Sequence, residues 1–107
     1  MKVGHTQKRI ITMLIADLMD AIDNGETQSD GVSLTNSAST RIIYKYLPYF
    51  LKEAEGLPPL FQYSLDGINV EKASPIWIAE NLDGETAAKL FLEGREINSV
   101  SEEEKKN

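Results

Sequence analysis

Apolar and polar positions alternate over Phe61-Gln62-Tyr63-Ser64-Leu65 and again over Ile68-Asn69-Val70-Glu71-Lys72, with Asp66-Gly67 between the two runs. A period of two predicts paired strands, and Asp-Gly suits a type I′ turn, where both central residues need positive φ. Pairing outward from the turn sets Leu65 opposite Ile68, Tyr63 opposite Val70 and Phe61 opposite Lys72. Ser64 then faces Asn69, and Gln62 faces Glu71. One side of this ribbon is mostly apolar and the other wholly polar, the pattern of a hairpin packed on helices.

Elsewhere the period is helical. From Thr6 to Asp23, a wheel of about 100° per residue gathers Ile10, Ile11, Leu14, Ile15, Leu18, Met19, Ala21 and Ile22 on one half-circle. Arg9, Thr12, Met13, Asp17, Asp20 and Asp23 take the other half. Thr6 is the expected N-cap and Asn24-Gly25 the expected stop. Residues 24–36 read as a polar loop, long enough to be mobile or functional, with a short strand possible over Val32 and Leu34. A second helix opens at Asn36, Ser37 or Ser39 and runs through Arg41 to Glu55, with Gly56 as its stop. Pro48 predicts a kink inside it. Its inward arc holds Ile43, Tyr46, Leu47, Phe50, Leu51 and Ala54.

After the stiff Leu57-Pro58-Pro59-Leu60 connector and the hairpin, Ser74-Pro75 forms an N-cap and N1 pair. The short helix that follows carries Ile76, Trp77, Ala79 and Leu82; a strand over residues 76–79 is the alternative. Asp83 caps a last helix from Gly84 to Glu93, with Ala87, Leu90 and Phe91 inward and Gly94 as the stop. Beyond it the chain lacks the apolar content to pack. The expectation is a small α+β helical domain over residues 1–97 with one β-hairpin (61–65/68–72), followed by a disordered acidic tail over 98–107.

Composition narrows the chemistry. Zero cysteines among 107 residues exclude disulfide scaffolds, thiolate metal sites and cysteine nucleophiles, and are compatible with a reducing compartment. The longest apolar-rich stretch, Ile10 to Ile22, is broken by Asp17 and Asp20 and is too short for a bilayer. No signal peptide is read at the N-terminus, so the expected location is cytoplasmic. Net charge is −6, unevenly spread. Residues 1–52 carry six bases against five acids, whereas residues 53–107 carry five against twelve. Acidity of that kind keeps a small protein soluble, and it repels nucleic-acid phosphates at long range.

Arg41, Lys45 and Lys52 fall within about 40° on the second helix, with Ser37 toward its amino end and Tyr49 at the border. Hydroxyls and bases so arranged would suit DNA phosphates and base edges. With the hairpin following, the order helix, loop, helix, wing over residues 6–72 is loosely similar to a winged-helix DNA-binding domain. That resemblance implies a recognition helix using Ser37, Arg41, Lys45, Tyr49 and Lys52, with a dimer as the form that would offset a weak basic strip. It also requires a short helix within residues 24–35, where the sequence reads as a loop. The default account of such a strip is a solvated helix face.

Asp17, Asp20 and Asp23 fan over about 120° of the first helix, too wide for a ready metal or acid–base site. Asp20-Ala21-Ile22-Asp23-Asn24-Gly25 fails as a calcium loop, because Ile22 and Gly31 stand where ligands belong. His5 is the only histidine, in a segment expected to fray, so neither a triad nor a histidine metal site can be assembled. No glycine-rich phosphate loop occurs. The reading is therefore a non-enzymatic chain without cofactor or metal. Glu80, Asp83, Glu85, Glu93 and Glu96 are the expected contacts for a basic protein partner, in the manner of a small acidic inhibitor or immunity protein. DNA binding is the alternative. Trp77, Tyr44, Tyr49 and Met13 are candidate anchors, with Trp77 expected in the core.

Overall fold

The computed structural model describes residues 1–25 and 37–106. Its elements run β1 (Lys2–Val3), α1 (Lys8–Asp23), α2 (Ser37–Phe50), β2 (Leu51–Glu53), β3 (Phe61–Leu65), β4 (Ile68–Lys72), α3 (Pro75–Asn81) and α4 (Gly84–Lys106). The architecture is α+β. Most of the loop expected over residues 24–36, with its strand at Val32 and Leu34, lies outside the described residues, as does Asn36.

The hairpin forms in the expected register, from Leu65 opposite Ile68 to Phe61 opposite Lys72. Asp66 and Gly67 both take positive φ, 52° and 82°, as a type I′ turn requires. Strand β4 lies on α2, burying Val70, while β3 overhangs with four of its five residues exposed. The core joins α1, α2, α3 and α4 through Ile10, Leu14, Leu18, Ile43, Tyr46, Leu47, Phe50, Leu51, Ile78, Ala87 and Phe91. Within it the rings of Phe50 and Phe91 meet at 5.9 Å between centroids.

The expected inward arc is buried except for the half-buried Ala54, and both Leu51 and Ala54 lie beyond the end of α2. The second helix does not reach Glu55. It ends at Phe50, and Leu51–Glu53 instead pairs antiparallel with Lys2–Val3. Pro48 supplies the reason: it withdraws one backbone donor from the last turn, and the chain leaves the helix within two residues. Strand pairing takes over at the helix end, with Gly4 N–H donating to the Phe50 carbonyl at 2.9 Å. The amino terminus is consequently anchored. Val3 is buried, and Thr6 N–H donates to Asn98 Oδ1 at 3.2 Å. Gln7, rather than Thr6, occupies the N-cap position of α1, without a side-chain cap.

Three other expectations are corrected. Helix α4 passes through Gly94 rather than stopping there, and Asn98 is buried, with Nδ2 donating to the Gly94 carbonyl at 2.7 Å. A Cβ on Gly94 would stand 2.8 Å from Cγ of Phe50, so the glycine is the notch that lets α4 close on α2. In α3, Ser74 Oγ accepts the Trp77 N–H and Pro75 opens the helix as expected, which excludes the strand alternative. Its faces are turned, however: Ile78 is fully buried, Trp77 is half-buried, and Ile76 is 71% exposed. On α1, Ile15 and Met19 are exposed beside the buried Ile10–Leu14–Leu18–Ala21 row. Neighbouring elements cover only part of the apolar half-circle.

Candidate interaction surface

The basic strip of α2 is not an open cationic face. Lys45 Nζ lies 2.9 Å from Asp17 Oδ2, and Tyr46 Oη donates to the same oxygen at 2.6 Å. Asp17 and Asp20 of α1 line a shallow hollow of about 310 Å³ together with Arg41 and Lys45 of α2. Two members of the acid fan, Asp17 and Asp20, and two of the basic strip, Arg41 and Lys45, thus meet at the α1–α2 seam. Lys52 sits on β2 rather than α2 and is half-buried. Burial pulls its ammonium below the ordinary lysine range, and nearby Glu71 pulls it partly back. Tyr49 is half-buried, and its hydroxyl shares a 2.9 Å hydrogen bond with that of Tyr63 on the hairpin. Burial first, then this bond, pushes its phenol up to about 12. Ser37 begins α2. Lys45 and Tyr49 are thus engaged by neighbours, and Lys52 lies off the helix that was expected to carry it.

Asp17 carries a testable consequence. The Tyr46 hydroxyl, chiefly, and Lys45 beside it hold its carboxyl below the usual carboxylate range, against a smaller opposing effect of burial. An acid held low in the folded state adds stability above its unfolded pKa of about 4, and that increment disappears as pH falls through the folded value. Asp17→Asn is therefore expected to lower stability modestly at pH 7, while the gap to wild type narrows below about pH 4. Urea unfolding across that range measures it; a gap unchanged by acid would contradict the assignment.

The acids of the C-terminal half are placed differently. Glu80 on α3, Asp83 at the α3–α4 junction, and Glu85, Glu93 and Glu96 on α4 are all exposed. Glu85, Lys89, Glu93 and Glu96 follow the i, i+4, i+8, i+11 spacing of one helix face. Leu92, 42% exposed, lies in the same stripe. Glu85 meets Lys89 at 3.7 Å, a loose surface pair of little energetic consequence. Asp83 also acts in the fold itself. Its Oδ1 accepts the Thr86 N–H at 2.8 Å, capping α4 and lowering its own pKa. The Asp-Gly-Glu-Thr run makes that cap legible in the sequence.

Among the described residues, no group of three His, Asp or Glu side chains is placed to hold a metal ion. No described helix is long and apolar enough to cross a membrane. The short helix that a winged-helix module needs between α1 and α2 would fall on residues outside those described. Set against protein-family models, curated proteins and solved structures, the chain matches none.

Proposed function

We propose that this is a non-catalytic interaction protein of the cytoplasm that docks on a basic macromolecular partner through the acidic face of α3 and α4. The reading rests on one observation. Glu80, Asp83, Glu85, Glu93 and Glu96 are all open to solvent, whereas Lys45 and Lys52 of the basic strip are paired or half-buried. Exposed carboxylates stay hydrated until a partner arrives, and they raise the encounter rate with a cationic surface. The exposed Leu92 supplies apolar contact inside the acidic stripe, which long-range charge alone would not. An inhibitor or immunity-like role fits such a surface. DNA binding through Arg41, Lys45 and Tyr49 is less well supported, because Asp17 and Asp20 sit against that strip.

The test begins with capture of the partner from host lysate by the intact chain. Association is then compared for wild type and a Glu80→Lys/Asp83→Asn/Glu85→Lys variant. Asparagine at position 83 preserves the helix cap while removing the charge. The on-rate is expected to fall by about tenfold or more at low salt, with little change in off-rate and convergence at high salt. An unchanged on-rate, or salt-sensitive capture of duplex DNA in preference to a basic protein, removes this reading.

A further inference from the structure

The two edges of the hairpin are treated differently by the rest of the molecule. In a hairpin with a two-residue turn, the pairs Leu65–Ile68, Tyr63–Val70 and Phe61–Lys72 exchange the ladder hydrogen bonds. The backbone groups of the intervening residues therefore point outward on both strands. On the β4 side the fold covers part of that edge. Gln7 Nε2 donates to the Asn69 carbonyl at 2.9 Å, and just past the strand Ala73 N–H donates to the Pro48 carbonyl at 2.8 Å. The ion pair between Arg9 and Asp66 holds the turn against α1 from the same region of the chain. On the β3 side, the outward backbone groups of Gln62 and Ser64 meet no such partner among the described residues, and both residues are exposed.

Exposed edge strands are usually blunted by charge, proline or a bulge. Strand β3 has none of these: Phe-Gln-Tyr-Ser-Leu is regular, uncharged and paired without a shift. Phe61 is 56% exposed and Tyr63 37% exposed.

We propose that β3 pairs antiparallel with β3 of a second copy of this chain, joining two hairpins into a four-stranded sheet about a two-fold axis at Tyr63. The outward groups dictate the register. Gln62 of one copy faces Ser64 of the other, twice, and each of these symmetric pairs exchanges both of its N–H···O bonds. That same register sets Phe61 opposite the second copy's Leu65 and Tyr63 opposite its own counterpart, so the apolar face stays apolar across the seam. Charge selects this edge as well. A chain carrying −6 repels its copy over most of its surface, and β3 offers five consecutive residues with no charge to oppose. A strand of that length spans only about 17 Å, so the contact falls short of a standard interface of roughly 1,200–2,000 Å². The dimer is accordingly weak, concentration-dependent and strengthened by salt, which screens the mutual repulsion. This pairing does not depend on the acidic face of α4, and its failure would leave that reading untouched.

Sedimentation velocity on the full chain, from micromolar to millimolar concentration and at two ionic strengths, measures the association. Wild type is expected to shift from monomer toward dimer with concentration, more so at high salt. Gln62→Lys/Ser64→Lys puts like charges across both symmetric pairs and should weaken dimerisation about tenfold or more. Gln62→Lys/Ser64→Glu puts opposite charges across the same pairs and should restore it, now weakened by salt. Both positions lie on the solvent-facing polar side, and unchanged thermal melting will show that the monomer fold survives. A wild type monomeric at millimolar concentration overturns the proposal. So does a double-lysine variant that associates like wild type, since the contact would then run through another surface, such as Ile15 and Met19 of α1. Amide protection at Gln62 and Ser64 that appears only on adding an extended peptide of another sequence overturns it too.

Discussion

Phe50→Ala is expected to remove roughly 3–5 kcal/mol of stability. Phe50 is fully buried where α2, α4 and the β1–β2 pair converge. Its ring packs on Phe91, and its carbonyl holds the Gly4 N–H. Truncation would open a cavity bounded by two helices whose ends are tied by β1–β2 and by Asn98, so little collapse can fill it. Native domains are stable by only about 5–15 kcal/mol, and this loss would take a large share. Urea unfolding should show a lower midpoint with an unchanged slope. A loss under about 1 kcal/mol would mean that the ring does not join α2 to α4.

Gly94→Ala is expected to destabilise the chain by about 1–2 kcal/mol, against the direction set by helix propensity. Alanine in a helix interior ordinarily gains about 1 kcal/mol over glycine. Here the added Cβ would lie 2.8, 2.9 and 3.0 Å from Cγ, Cβ and Cδ2 of Phe50. Those atoms sit at the root of a fully buried ring and cannot swing aside, so α4 must lift from α2. Overpacking of this kind typically costs about 1–3 kcal/mol. Gly94→Val should cost more. The decisive measurement is the cycle with Phe50→Ala. Without the ring only the Cβ contact remains, and the double variant should be more stable than the sum of the singles predicts by about 1 kcal/mol or more. Simple additivity would show that the two residues do not press on each other.

Gly94 also shows where local inference along the chain ends. A glycine ten residues into a helical pattern reads as a stop, because conformational freedom is its only visible property. Its use as a gap for a ring more than forty positions away leaves no local trace. Pro48 reads as an interruption, and it is one. That the freed backbone pairs with Lys2–Val3 is not legible, since a two-residue strand has no period to detect. The candidate sites divide in the same manner. The spacing of Glu85, Glu93 and Glu96 places them on one solvent-facing side, because helical geometry alone decides that. Grouping Arg41 and Lys45 with Lys52 presumes a helix running past Phe50 and an unoccupied flank. Both presumptions concern neighbours, and Asp17 is one of them.

Local chemistry therefore determined the hairpin register, the Ser74-Pro75 helix start, the Asp83 cap and most of the inward arc of α2. Each depends on backbone geometry within a few residues. Packing decided which part of each apolar half-circle is covered, leaving Ile15, Met19 and Ile76 outside and drawing Val3 and Asn98 in. It also decided which charges meet and which edge of the hairpin stays open. Those outcomes depend on contacts between distant segments, whose partners no window along the chain contains.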